Sequence, residues 1–78
     1  MRHYIKIQSK YFNDVKYKIK NFELRKDDRG YNVGDIIILD EIENGKPTGQ
    51  AICREIIYIL RDCPEYGLQE GYCILGLK

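Results

Sequence analysis

Residues 35–42 read Asp-Ile-Ile-Ile-Leu-Asp-Glu-Ile, with the aliphatic run Ile36–Leu39 framed by acids. Three β-branched residues in a row favour the extended chain, and successive side chains of a strand point to opposite faces. All four can be apolar only if both faces are covered. In a chain of 78 residues that cover must come mostly from a sheet that curls on itself. On the C-terminal side, Glu43–Gly49 (Glu-Asn-Gly-Lys-Pro-Thr-Gly) has the composition of a hairpin turn. A long β stretch is predicted over Gln50–Leu60, and its alternation breaks at Ile56-Ile57, the mark of a bulge or a bend. Arg61–Glu70, with Pro64 and Gly67, reads as a loop, and Gly71–Leu77 as a last strand.

On the N-terminal side, Arg2–Gln8 alternates: His3, Ile5 and Ile7 share one side, and Arg2, Tyr4, Lys6 and Gln8 the other. Ser9 is the expected cap of a short helix ending near Lys18, with Tyr11, Phe12 and Val15 on one face. From Lys20 to Arg25 the period returns to two, with Phe22 and Leu24 on one side and Asn21, Glu23 and Arg25 on the other. Lys26–Gly34 has a loop composition. The expected class is therefore α+β and β-rich: a single domain over residues 1–78, built as a closed or nearly closed β-barrel of about five strands with one short N-terminal helix. A chain this short buries only about 60 % of its unfolded surface, so two cores are excluded and dimerisation would help stability. Monomer and homodimer both remain open.

Cys53, Cys63 and Cys73 are odd in number and form no Cys-x-x-Cys pair, which argues against a disulfide scaffold and against structural zinc. The expectations are a reducing cytoplasm, no metal and no cofactor. By default Cys53 and Cys73, on strands, are buried thiols, which leaves the loop thiol Cys63 as the candidate for reactivity. The opening segment lacks the apolar core of a signal peptide, and the longest apolar runs are far too short to span a membrane. Gly45-Lys46-Pro47-Thr48 is read as a turn and not as the end of a phosphate-binding loop, because Asp40 stands where the first glycine is needed.

Charge is uneven. Residues 1–30 hold nine Lys or Arg against four acids, a balance of +5, which leaves −4 for residues 31–78 because the whole chain is +1. A basic region of this kind suits a phosphate backbone, with a merely solvated face as the plain alternative. Within it Lys6, Lys20, Arg25 and Arg29 are candidate phosphate contacts, the arginines as bidentate forks and the lysines as point charges. Tyr4, Tyr11, Tyr17 and Tyr31 lie among these cations and can stack on unpaired bases. Glu23 can accept from a base edge or orient Arg25. Against these stand a surface ion pair between Glu23 and Arg25 and tyrosines that simply pack in the core.

The segment Lys16–Asp35 resembles the ASCH domain, a branch of the PUA-like superfamily. The ASCH signature runs approximately Gly-x-Lys-x-x-Glu-x-Arg after a short helix; Lys20, Glu23 and Arg25 stand at its Lys, Glu and Arg positions, and Lys18 at its Gly position. The likeness extends to a small bacterial and phage branch of unknown function. It takes in His3-Tyr4-Ile5-Lys6, Tyr11, Phe12, Val15, Phe22, Asp27-Asp28-Arg29, Val33-Gly34-Asp35, Tyr58-Ile59-Leu60, Gly67-Leu68 and Gly71-Tyr72. The resemblance implies a PUA-like barrel whose signature lines a cleft beside the helix, and an RNA or nucleotide-like ligand. The candidate ligand-binding set is Lys20, Glu23, Arg25, Lys6, Arg29, His3 and Tyr31, although His3 also suits a core position. Some ASCH proteins are amidohydrolases acting on acetylated cytidine, with a threonine nucleophile in a Lys-x-x-Thr-x-Arg signature. Glu23 stands at that threonine position, where a carboxylate would repel a developing oxyanion. Ser9 and Thr48 are the only hydroxyl residues besides tyrosines. A binding module is therefore expected ahead of an enzyme acting on a modified nucleoside, with a protein-interaction or phage regulatory domain as a third class.

Overall fold

In the computed structural model, which describes residues 1–78, the Ile36–Leu39 run lies in a strand flanked on both sides. The elements in chain order are β1 (Arg2–Gln8), α1 (Ser9–Lys16), β2 (Phe22–Lys26), β3 (Ile36–Glu43), β4 (Lys46–Leu60), a 3-10 turn (Pro64–Tyr66) and β5 (Tyr72–Leu77). The strands form one sheet in the order β1-β3-β4-β5-β2. β1 runs parallel to β3 and the other pairs are antiparallel. The five strands and single helix of the expected α+β, β-rich class are present. No backbone ladder joins β1 to β2, so the sheet is open and these two strands are its edges.

The long strand β4 makes this curl possible. Its Ala51–Glu55 part pairs with β3 and its Ile56–Leu60 part with β5, with a register shift between Ile56 and Tyr58 where the alternation breaks. A bulge bends the strand and raises its twist, so one strand can serve both halves of a curled sheet. The hairpin before it is tighter than expected: Glu43 pairs with Lys46, leaving Asn44-Gly45 as a two-residue turn. Both residues have positive φ, 50° and 77°, the requirement that makes Asn-Gly the favoured sequence for this turn. Pro47, Thr48 and Gly49 therefore belong to β4 and not to the turn.

The core gathers Ile5 and Ile7 of β1, Phe12 and Val15 of α1, Ile37 and Leu39 of β3, Ile56 of β4, and Cys73, Leu75 and Leu77 of β5, with Tyr31 from a loop. Fully burying each of the larger aliphatic chains contributes roughly 1.5–3 kcal/mol. α1 begins after Gln8, which makes no side-chain capping bond, so Ser9 is the first helical residue and not the cap. At the other end Arg54 of β4 donates to the Val15 and Lys16 carbonyls at 3.1 and 3.0 Å. A cation on the last carbonyls of a helix both satisfies them and complements its dipole. Lys18 then turns the chain with φ +60°, a left-handed conformation that favours glycine.

The cysteine expectation holds for Cys73 on β5, which is buried, and is reversed for the other two: Cys53 on β4 is exposed and the loop thiol Cys63 is buried; all three are free. Burial pushes the Cys73 thiol up from its ordinary value. No helix is long and apolar enough to cross a membrane. The outer face where β2, β5 and β4 meet exposes Phe22, Leu24, Tyr58 and Leu60.

Candidate functional site

β2 presents its polar side inward. Glu23 is only 4 % exposed, while Phe22 and Leu24 on either side are about half exposed or more. A carboxylate in that position needs partners for both oxygens. Lys20 Nζ donates to Oε1 at 2.6 Å, and Arg25 Nε to Oε2 at 3.0 Å. The pair between Glu23 and Arg25 is thus part-buried, with the carboxylate sealed and the guanidinium about a quarter exposed, and is not a surface ion pair.

Arg25 has a second task. Its Nη2 donates to the Lys6 carbonyl of β1, and Arg29 Nη1 donates to the Tyr4 carbonyl at 2.6 Å. The Ile36 N–H bonds the Met1 carbonyl, so the odd carbonyls of β1 face β3 and the even ones face away, as alternation along a parallel edge strand requires. Two arginines from β2 and its following loop therefore cap the free edge of β1. Side chains bridge the gap that the backbone leaves open.

Two cavities lie along this gap. The larger, of about 630 Å³, is lined by Lys6, Ile7 and Gln8 of β1, Tyr11 of α1, Phe22–Arg25 of β2 with the preceding Lys20, and Ile42. Tyr11 is 42 % exposed and stands on the cavity wall, so the helical face expected to bury it keeps only Phe12 and Val15. The Lys20 ammonium lies 5.3 Å from the Tyr11 ring centre and 5.1 Å from that of Phe22. Two ring faces and the Glu23 carboxylate hold that cation in place. The smaller cavity, of about 160 Å³, is lined by Ile5, Arg25, Lys26, Asp28, Arg29 and Tyr31, and Arg25 is common to both.

Of the residues singled out in the sequence, Lys6, Lys20, Glu23 and Arg25 meet on the larger cavity, and Arg25, Arg29 and Tyr31 on the smaller. His3 lines neither. It is buried behind Tyr31, ring centres 4.8 Å apart, with Nε2 held by Asp35 at 2.8 Å. Asp35 also accepts from the Met1 ammonium and the Asn32 N–H. These bonds, the one to His3 foremost, hold its carboxyl down at about 2. Tyr4 and Tyr17 are exposed and line neither cavity, and Thr48 bonds Glu41 on the β3–β4 hairpin. Gln8, Leu24 and Ile42 line the larger cavity without having been singled out, and no motif marks them; Phe22, which falls within the family likeness but was not named as a ligand contact, lines it too.

The family model described as "Domain of unknown function (DUF3850)" matches residues 2–77. The chain belongs to this family. No curated protein matches it. The match takes in every element of this DUF3850 chain, so the β1–β2 gap and both cavities lie within the family's own domain.

Proposed function

We propose that this DUF3850 chain is an ASCH-like binding module of the PUA-like kind, holding an RNA segment or a nucleotide-like ligand in the gap between β1 and β2. One observation carries the reading: three cations, Lys6, Lys20 and Arg25, converge with the Tyr11 and Phe22 rings on a single cavity large enough for a nucleotide-sized ligand. Cations answer phosphate and ring faces answer bases, the combination single-stranded nucleic acid calls for. Both oxygens of Glu23 are engaged by Lys20 and Arg25, so its role in this reading is to orient those two cations. The setting is a reducing cytoplasm, bacterial or phage-infected, where three unpaired thiols persist.

Fluorescence anisotropy with short single-stranded and structured RNAs tests the proposal. Affinity should fall steeply with salt, with a slope of about −0.7 for each phosphate neutralised on a single strand. Lys6 is the clean probe, because its side chain makes no hydrogen bond or ion pair within the protein while only its carbonyl serves Arg25. Lys6→Ala should weaken binding across all sequences and reduce the salt slope by about the contribution of one phosphate. No affinity at low salt, or affinity indifferent to both Lys6→Ala and Lys20→Ala, would refute it.

A further inference from the structure

Tyr31 is 2 % exposed, yet none of the side-chain hydrogen bonds of the chain involves its hydroxyl; only its backbone carbonyl is engaged, by Arg61. No side-chain nitrogen or oxygen is both sealed from solvent and unpaired. The hydroxyl therefore keeps some contact with solvent, and Tyr31 is one of the residues that line the smaller cavity. A buried phenol normally finds a partner, because an unmatched polar group in the interior is costly. The other groups that line the smaller cavity are Ile5, Arg25, Lys26 and Arg29 and the single carboxylate of Asp28, so the polar lining is mostly cationic. We propose that this smaller chamber is a phosphate subsite, in which the Tyr31 hydroxyl and the Arg29 and Arg25 guanidinium groups donate to one phosphate of a ligand whose planar ring lies in the larger chamber.

The donor supply fits. A guanidinium carries five N–H donors; Arg25 uses Nε and one Nη2 donor, and Arg29 one at Nη1, within the protein. The remaining donors have no partner in the chain. Because those bonds anchor the two side chains to Glu23 and to β1, the free donors are positioned before any ligand arrives, which lowers the ordering cost of binding. Burial raises the Tyr31 pKa from its ordinary value, so near pH 7 the phenol keeps its proton and donates. At about 160 Å³ the chamber has room for a phosphate group together with some of its hydrating water. Asp28 opposes the anion and sets the chamber's formal balance at +2, three cations against one carboxylate. Arg25 lines both chambers, so a phosphate and the ring it is attached to can be held across one shared side chain.

The inference rests on the nucleotide reading above for the ring, but not for the anion, and the test separates the two. The probes are inorganic phosphate, the four ribonucleosides, their 5′-monophosphates and a short oligoribonucleotide, titrated into the whole chain by calorimetry and by amide chemical shifts. The expected result is tighter binding of a monophosphate than of its nucleoside, by about tenfold or more, and phosphate-induced shifts at Arg29 and Tyr31. Tyr31→Phe removes only the hydroxyl and should erase most of that difference without lowering the melting temperature. Should that variant fail to fold, Arg29→Gln replaces it, with the same loss of the monophosphate preference expected. An oligoribonucleotide that displaces the monophosphate in a Tyr31-dependent way assigns the chamber to a phosphodiester, and one that does not assigns it to a free nucleotide. Monophosphate binding that equals nucleoside binding, or that ignores Tyr31→Phe and Arg29→Gln, overturns the subsite while leaving Lys6-dependent RNA binding standing. Tyr31-dependent phosphate binding with no contribution from any base supports the subsite and refutes the nucleotide reading. No binding of any probe overturns both.

Discussion

Replacing Arg25 by methionine keeps the length of the side chain and removes its donors, which isolates what the guanidinium does between the two edge strands. In the native chain it makes one charge-assisted bond to Glu23 at 3.0 Å and a second to the Lys6 carbonyl. Bonds of this type contribute roughly 1.5–3 kcal/mol each when well shielded. The Arg25 side chain is 26 % exposed, so water compensates part of the loss. Glu23 also keeps Lys20 at 2.6 Å, so its charge is not stranded. Counting both bonds at a discount gives a destabilisation of about 2 kcal/mol, or a melting temperature lower by about 8–16 °C for a domain of this size. Urea unfolding read by circular dichroism measures it: the midpoint should fall with the m-value unchanged. Hydrogen exchange should quicken in β1 before it does in β3 or β5, because β1 loses its only tie to β2 on that side. Arg25→Lys should recover little, since an ammonium cannot reach both acceptors in the geometry of the fork. Arg29→Met, which loses one bond to a neutral carbonyl on an exposed side chain, should cost only about 0.5 kcal/mol. A loss below about 0.5 kcal/mol for Arg25→Met would mean that solvent replaces both bonds and that the arginine does not tie the strands.

The Asp35 carboxyl is held at about 2 against an ordinary 3.8, chiefly by His3. A depressed pKa contributes stability that is fully present above the unfolded value and is lost as pH falls through the folded one; melting temperatures of the wild type should therefore drop between about pH 4 and pH 2, and those of Asp35→Asn should show a smaller drop over that window. Lys18→Gly should stabilise the chain by about 0.5–1 kcal/mol in chemical denaturation, because glycine relieves the left-handed backbone at φ +60° at a smaller entropic cost; a destabilised variant would show that the Lys18 side chain contributes more than its backbone strain removes. Leu39→Ala, in the fully buried position, should cost about 2–5 kcal/mol. Leu24→Ala, at 56 % exposure, should cost under about 1 kcal/mol, and comparable losses from the two would contradict the outward phase of Leu24 in β2.

The sequence carried the strands whose pattern is local. In β1 the alternation of His3, Ile5 and Ile7 with polar neighbours matches the buried positions one for one, and the broken alternation at Ile56-Ile57 falls at the register shift. The phase of β2 could not be read that way. Phe22 and Leu24 are the apolar residues, yet they stay about half exposed at the edge of the larger cavity while Glu23 between them is buried, because the inner side of β2 meets Lys20 and β1 across an open gap and not a closed core. An edge strand beside an open cavity has no packed neighbour to pull its apolar side inward. Tyr11 was misplaced for a related reason: helical spacing groups it with Phe12 and Val15, but it sits at the border of that face and turns toward the cavity. Lys20, Glu23 and Arg25 were legible as a set through the resemblance of their segment to the ASCH signature, on a stretch already dense in charge. That Arg25 and Arg29 cap carbonyls of β1 was not, since those bonds join residues 19 and 25 positions apart and no local pattern encodes them.

The capping arginines also decide what kind of ligand the gap suits. An edge strand with free carbonyls and N–H groups invites an added strand, but the Lys6 and Tyr4 carbonyls of β1 are already taken by Arg25 and Arg29. An extended peptide would have to displace both guanidinium groups to pair with β1. What the gap offers instead is a row of unused donors, on Lys6, Arg25, Lys26, Arg29 and the Tyr31 hydroxyl, and donors select an acceptor-rich partner. Stability and binding are then linked through the same side chains. A ligand at a hundred times its Kd adds about 2.7 kcal/mol to the folded state, a little more than Arg25→Met is expected to remove. If the ligand's main contacts are Lys6, Lys20 and Tyr31, a saturating dose should return the variant to roughly the melting temperature of the unliganded wild type. If Arg25 is itself a principal contact, the variant should stay below that temperature at every accessible ligand concentration, which separates the structural role of Arg25 from a role in holding the ligand.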